Sequence, residues 1–513
     1  MKNVLVTSGL CLSVLLLSAC NSDDKDISSL TTQTTLVGGD SHCWMGGIRT
    51  DSGLDSNDNG KLDGNEVVDS SYACNADLFT DKAVHLPFTV LRADLDNGAM
   101  PGTKFEIRNG GYGSDAAPNP NNPIQFYALT DRGPNADYTG SLGKGKMFPT
   151  PDYTPRIGLF ELQTNGTITK VKDILFKRPD GSLITGLPNS SSLGGTGEIP
   201  YDAAGEVIRQ DMSQPYNAQT NPIKLDDYGL DSEGLAAMDD GSFWVSDEYG
   251  PHIVHYSAEG VEIARINPFA DDARNLYSLP AEFAHRRANR GMEGLTITPD
   301  QSTLVGIMQS TISNPDKSVN NNTLTRIVTI NLATGAIGQY LYQQEIAQNS
   351  NSAIVALSNS QFLVLERDGK FFNIDTDVMK HVYKIDISGA TDLETVTAQA
   401  DIAQDAALGL TIKGKTLEQV ALSDGWEALA ANGIIPATKS LVLDMAAKTQ
   451  YPHDKMEGLW LIDNKRLGVL NDDDFATWSN NNTLEQKYLD SAQSDIDGNT
   501  LYIVDNLPLS ADK

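Results

Sequence analysis

Cysteine, histidine and positive charge are all scarce in this chain. Four cysteines in 513 residues exclude a scaffold built on disulfides. Seven histidines leave little for a zinc site. No Gly-x-Ser-x-Gly elbow, Walker-type phosphate loop or His-Glu-x-x-His motif occurs, so three common signatures of hydrolases and nucleotide enzymes are missing. Lys and Arg number 38 against 68 Asp and Glu, a formal net charge of −30. That surface repels a phosphate backbone, and no nucleic-acid partner is expected. It suits cations, and a local basic group or metal inside it still admits a small anionic substrate. Long apolar runs are also lacking. The longest, Val4 to Leu17, falls short of the ~20 residues a membrane helix needs.

That run reads as a targeting segment. Lys2 precedes it and Leu17-Ser18-Ala19-Cys20 ends it, which resembles a bacterial lipoprotein signal. The resemblance implies a signal peptide over 1–19, cleavage before Cys20 and lipid on its thiol. Membrane contact would then run through that lipid alone. Asn21 and Ser22 carry no acid after Cys20, and likeness to Gram-negative lipoproteins favours the outer membrane within the cell envelope. Residues 20–37, rich in Ser, Thr, Asp and Gln, are expected to form a flexible tether. Cys11 leaves with the signal, so Cys43 and Cys74 remain and are expected to pair.

Between those two cysteines lies Asp55-Ser-Asn57-Asp-Asn59-Gly60-Lys61-Leu-Asp63-Gly-Asn-Glu66. It fits the calcium-loop pattern at each fixed position. Side-chain oxygens of Asp55, Asn57, Asn59, Asp63 and Glu66, with the Lys61 carbonyl, suit a hard cation of six to eight ligands. No amphipathic helix pair flanks the loop, so a full EF-hand is not expected. The alternative is a polar turn without metal. Residues 38–76 are read as a small Cys-closed module, structural in role.

From 85 to 508 the chain reads as all-β. Four stretches share one plan, beginning at Glu233-Gly-Leu, Glu293-Gly-Leu, Ser352-Ala-Ile and Glu457-Gly-Leu. Each holds a polar residue, an apolar strand, a turn, a second apolar strand and a polar cluster. Successive four-strand units suggest a β-propeller of five to seven blades, six favoured. Residues 76–100 and 499–508 are placed to meet. Insertions are expected at 178–230, 268–290 and 395–450, the last with a helix near Thr416 to Ala431.

In an antiparallel hairpin the first residue of one strand lies beside the last of the next. The polar ends should therefore share one end of the fold. Strand-two alignment makes Asp131, Asp247, Glu366 and Asn471 equivalent. Glu233, Glu293 and Glu457 open the first strands, and Asp231, Glu248, Asp472 and Asp473 adjoin them. Five of these acids, Glu233, Asp247, Glu293, Glu366 and Glu457, are the candidate acids and bases. Asp131, Asp231, Glu248, Asp472 and Asp473 are the candidate metal ligands. Arg132, Arg290, Arg367 and Lys455 lie beside them and are the candidate anion binders. The plainer alternative is salt bridging among buried charges. Two positions break the rule: the second repeat ends in Met308-Gln309, and the third begins at Ser352.

The segments Ala128-Leu-Thr-Asp-Arg-Gly-Pro-Asn135, Phe243-Trp-Val-Ser-Asp-Glu-Tyr-Gly-Pro251, Arg290-Gly-Met-Glu-Gly-Leu295 and Asn471-Asp-Asp-Asp-Phe475 resemble the phytase-like family described as having esterase-like activity. The resemblance spans roughly 85–480 and implies a repeated, acid-rich β domain that hydrolyses phosphate esters. Calcium is the cofactor expected from the residues themselves, in the 55–66 loop and on the acidic face. Two other functions stay open. One is a non-enzymatic surface binder stiffened by calcium. The other is a carboxylic ester or lactone hydrolase on the same scaffold.

Overall fold

The Glu-Gly-Leu repeat is a β-bulge. In the computed structural model, which describes residues 28–511, Ser232 pairs with Asp247 and Gly234 with Ser246, leaving Glu233 as the extra residue. The register breaks in the same way at Glu293, Ser352 and Glu457. A bulge turns one side chain away from the regular alternation of its strand. The following glycine serves a second purpose. A Cβ on Gly234 would lie 2.6 Å from the Leu295 nitrogen, and one on Gly294 2.7 Å from the Ile354 nitrogen. Glycine thus lets neighbouring first strands approach closely. The third residue fills a core between sheets: Leu235, Leu295 and Leu459 are all fully buried. Each such leucine contributes about 2–3 kcal/mol.

Five sheets of this kind follow one another. Their first strands are Asp115–Pro118, Ser232–Ala237, Met292–Ile297, Ser350–Ala356 and Met456–Leu461. Each is followed by antiparallel neighbours, and the second sheet adds the parallel strand Asn275–Ser278. Apolar clusters fill the gaps between consecutive sheets. A further cluster packs Ala116 and Phe126 of the first sheet against Trp460 and Leu501 of the fifth. Asp115 ties first strands together, accepting from the Leu235 nitrogen at 2.8 Å. The architecture is all-β and propeller-like, with one sheet fewer than the favoured six.

The two ends of the chain meet as expected. Ala83–His85 forms the last strand of the fifth sheet, antiparallel to Thr500–Val504. The fourth sheet takes its last strand, Thr438–Asp444, from inside the expected 395–450 insertion. The helix anticipated near Thr416 to Ala431 is two helices, Leu417–Asp424 and Trp426–Ala431. They divide at Gly425, whose φ of 82° is left-handed. A capping box at Thr416 and Gln419 starts the first.

The tether reading needs correction. Ser28–Leu36 is a strand, paired throughout with Gly47–Asp55, so the small module begins at Ser28. Its threonines favour a strand, yet neither face is buried, so no apolar alternation marked it. Val67–Cys74 completes a three-stranded sheet, and Cys43 pairs with Cys74. Trp44 and Met45 dock the module against the cluster between the fifth and first sheets. The signal peptide and Cys20 lie outside the described residues. Among the described residues no helix is long and apolar enough to cross a membrane.

The disulfide closes a separation of 31 residues, worth about 3–4 kcal/mol in chain entropy. Replacing both cysteines by alanine is therefore expected to split thermal unfolding into two transitions, with the small module melting first. Calorimetry showing one unshifted transition would refute this.

Candidate functional site

The starts of the first strands line a cavity of about 250 Å³. Their later residues, from all five sheets, line a separate and mainly apolar one of about 180 Å³. Seven carboxylates and five cationic side chains face the first cavity. The carboxylates come from Asp131, Asp231, Glu233, Glu248, Glu293, Glu457 and Asp474. The cations are Arg132, Lys146, Arg290, Arg367 and Lys455.

The second sheet supplies the densest group. Asp231, Glu233 and Glu248 each bring a carboxylate oxygen within 4.8 Å of the others, and all three are buried. Among the described residues Glu233 has no hydrogen-bond donor or ion-pair partner. Burial, then Glu293 and Asp231, push its carboxyl well above the usual range. Burial and Asp231 also raise Glu248. Arg132 Nε lies 3.2 Å from Asp231 Oδ2, but neither atom makes a hydrogen bond. Arg132 also pairs with Glu198 at 3.2 Å. The donor set of three oxygen ligands, two with unsatisfied oxygens, fits a hard cation such as calcium.

The third sheet contributes Glu293 and Gln309. The Gln309 amide donates to Glu248 Oε1 at 2.9 Å and to Glu293 Oε1 at 2.5 Å. Glu293 Oε2 has no partner, and burial with Glu248 and Glu457 pushes this carboxyl well above its usual range. On the other side, Arg367 donates to Glu457 Oε1, leaving Glu457 Oε2 and Arg367 Nε unpartnered. Burial, opposed by Arg367, pushes Glu457 up to about 7. Arg290 donates to the carbonyls of Gln348 and Asn349 at 3.1 and 3.3 Å. Burial and the neighbouring Arg367 lower its pKa.

Lys455 bridges Asp472 at 2.6 Å and Asp474 at 2.7 Å. Asp131 accepts from the Gly133 nitrogen at 2.7 Å, and burial, with Asp472 and Asp231, raises it. Behind these, Lys487 reaches Asp454, Asp474 and Asp497 at 2.8, 2.6 and 3.2 Å.

Four expected site residues do not reach the cavity wall. Asp247 turns the other way, accepting from the nitrogens of Gly250 and His252 at 3.1 and 2.8 Å; burial lifts it to about 7. Glu366 accepts from Tyr342 at 2.9 Å and pairs with Lys439 at 3.3 Å. Asp473 accepts from the nitrogens of Gly111, Phe475 and Asn499 and clasps the chain ends. Asp472 is held by Lys455, and its other oxygen accepts from the Asp474 nitrogen at 2.9 Å. Asp247 and Glu366 pair with the first strands as expected, but the side chains that face the cavity belong to the next residues, Glu248 and Arg367, as Gln309 does after Met308.

Gln309, Lys146, Glu198, Asn289 and Asp474 were not anticipated. Gln309 follows Met308 as Glu248 follows Asp247 and Arg367 follows Glu366, and that spacing was its only signal. Glu198 and Asn289 come from the insertions at 178–230 and 268–290. Asn289 donates to Glu198 at 2.8 Å.

In the small module, Asp55–Glu66 is a hairpin loop between two strands. Asp55 accepts from the nitrogens of Asn59 and Gly60 at 3.0 and 2.7 Å. Glu66 accepts from those of Ser56 and Asp63 at 2.8 and 3.0 Å. Gly60, with φ of 75°, makes the turn. The carboxylates curl inward over the loop, an arrangement that suits a calcium ion with no helices beside it.

A family model for a domain of unknown function (DUF7151) matches residues 28–74, the bounds of the small module. A curated relative, an uncharacterized secreted protein of Arthroderma benhamiae, is 30% identical over 170 residues. That match covers 29% of this chain, and the chain spans about a third (32%) of the relative's length. Among solved structures, a PQQ-bound aldose sugar dehydrogenase from Streptomyces coelicolor overlaps 83% of this chain and 99% of its own, at 11% identity and a TM-score of 0.30. A protein from Lactobacillus plantarum overlaps 94% and 98%, at 11% identity and a TM-score of 0.27. Overlaps this loose carry no conclusion. The profile described as phytase-like, esterase-like activity of phytase, matches residues 107–475, which takes in the bulged hairpins and the cavity, and the chain belongs to that family.

Proposed function

We propose that this protein is a calcium-dependent hydrolase of phosphate esters, acting in the acidic cavity of a closed five-bladed propeller. One observation carries the reading. Asp231, Glu233 and Glu248 gather carboxylate oxygens in the same cavity as an arginine, Arg290, that among the described residues is held only by backbone carbonyls. A cation site beside a guanidinium is what a phosphoryl group requires.

In this reading Asp231, Glu233 and Glu248 hold calcium, which when bound supplies charge stabilisation to the phosphoryl oxygens. Arg290 binds a non-bridging oxygen. Glu457, pushed up to about 7 by burial, takes a proton from water at its free Oε2. The water oxygen bonds to phosphorus, and the ester P–O bond breaks with its electron pair on the leaving oxygen. Glu293, held protonated by burial and its acidic neighbours, gives its proton to that oxygen. Gln309 fixes Glu293 through the other oxygen. One proton is taken and one given, so a transfer between the two carboxyls resets the site.

The Asp55–Glu66 loop is a second calcium site in this reading, and lipid on Cys20 holds the protein at the envelope membrane. Chelation is expected to abolish phosphoester turnover and to lower stability by about 2.7 kcal/mol per site occupied at 100-fold over its Kd. Asp55→Ala should remove only the loop's share of that stabilisation and leave turnover intact. Chelator-insensitive turnover, or none on any phosphate ester with calcium present, counts against the hydrolase. In the second case a chelator-dependent melting point leaves a calcium-stiffened binding protein.

A further inference from the structure

Resting on that reading, we infer that the cavity takes a substrate with a single anionic group, a phosphodiester monoanion, and rejects polyphosphorylated esters such as phytate. The commitments of the cavity's cations carry this. Arg132 is engaged by Asp231 and Glu198, and Lys146 by Asp137 at 2.7 Å. Arg367 is engaged by Glu457, and Lys455 by Asp472 and Asp474. Among the described residues lining the cavity, only Arg290 has no carboxylate partner. Its first guanidinium nitrogen is spent on two carbonyls, and the rest of its fork is available for one oxyanion.

The remaining wall opposes more negative charge. Seven carboxyl groups face five cations, and with Glu293 carrying its proton one divalent cation leaves the lining with a single net positive charge. A monoanion then binds at Arg290 with little repulsion. Each additional phosphate would meet Glu233 or Asp131 with no free cation, and such juxtapositions cost several kcal/mol. Arg286 and Arg287 also lack carboxylate partners. Neither lines the cavity: Arg286 donates to the carbonyls of Tyr249 and Gly194, and Arg287 to Gln348 and Ser310. The volume of about 250 Å³ sits at the small end of ligand sites, room for one phosphoryl group and a modest alcohol.

The test uses the purified protein with calcium and two readouts. In the first, turnover is compared on bis(p-nitrophenyl) phosphate, p-nitrophenyl phosphate and phytate. In the second, calorimetry measures binding of dimethyl phosphate and of phytate, whether or not either ester is cleaved. The diester is expected to exceed phytate by more than roughly 100-fold in kcat/KM and in affinity. Arg290→Gln should weaken dimethyl phosphate roughly 10- to 100-fold with an unchanged melting point, since the Gln348 carbonyl is exposed and the Asn349 carbonyl also accepts from Gln344; Arg290→Lys should restore part of the loss. Phytate binding or turning over as well as the diester overturns the inference, as does diester binding that ignores Arg290. Arg290-dependent binding of dimethyl phosphate without turnover upholds the specificity and defeats the hydrolase reading alone.

Discussion

Replacing Glu457 by glutamine is expected to lower kcat/KM on a phosphate diester by roughly 10²- to 10⁴-fold. Glutamine keeps an oxygen for Arg367 but has no carboxylate to accept the proton of the attacking water. The pH profile should change with the rate. Burial pushes Glu457 up to about 7, so the wild-type rate should fall as pH drops below 7, where the base becomes protonated. The variant should lack that limb. Initial rates from pH 5 to 9 for both proteins make the comparison. A rate loss under about tenfold, or an acid limb surviving in the variant, would assign the base elsewhere.

The second large effect concerns stability. Lys487 is buried and carries three aspartates, Asp454, Asp474 and Asp497. Although burial works against it, Lys455 and Lys487 hold Asp474 below its ordinary range. Asp497, similarly buried, is lowered by Lys487 and His453. Lys487→Met strands these carboxylates, and breaking a buried pair of this kind costs about 3–5 kcal/mol. The sign with pH follows from the shifts. In the wild type, depressed Asp474 and Asp497 add stability above the usual aspartate pKa and lose it as pH falls. Without the lysine both carboxyls rise, and the cost grows as pH climbs from about 4. Urea titrations should therefore show the largest deficit at pH 7 and a smaller one near pH 5. A deficit below about 1 kcal/mol, or one that does not vary with pH, would show that Lys487 is not the keystone of this cluster.

The hairpin register could be read from residues alone because Phe243–Asp247, Gln361–Arg367 and Leu467–Asn471 are short apolar runs that end in polar residues. The face could not. Glu233, Glu293 and Glu457 stand in bulges, and a bulge adds one residue without changing the apolar pattern on either side. Asp247 and Glu366 were consequently assigned to a cavity that Glu248 and Arg367 occupy. Gln309, set aside for want of a charge, holds two of the carboxylates in place. Polarity hid the strand Ser28–Leu36, because a strand exposed on both faces has no alternation to show. Lys487 was invisible for another reason: its partners lie in three separate segments, and only the fold brings them together.

The fifth sheet joins Ala83–His85 to Thr500–Val504, which makes the assembly of the protein a question of order. The first four sheets are built from residues between 115 and 444, so the fifth closes only when Thr500–Val504 joins Ala83–His85 across them. Until then Trp460 and Phe126 have only part of their final surroundings, and the cavity lacks the clasp in which Asp473 meets Gly111 and Asn499. The segment Asp472–Asp474, which carries part of the cavity wall, is thus fixed only once Gly111 and Asn499 have met Asp473.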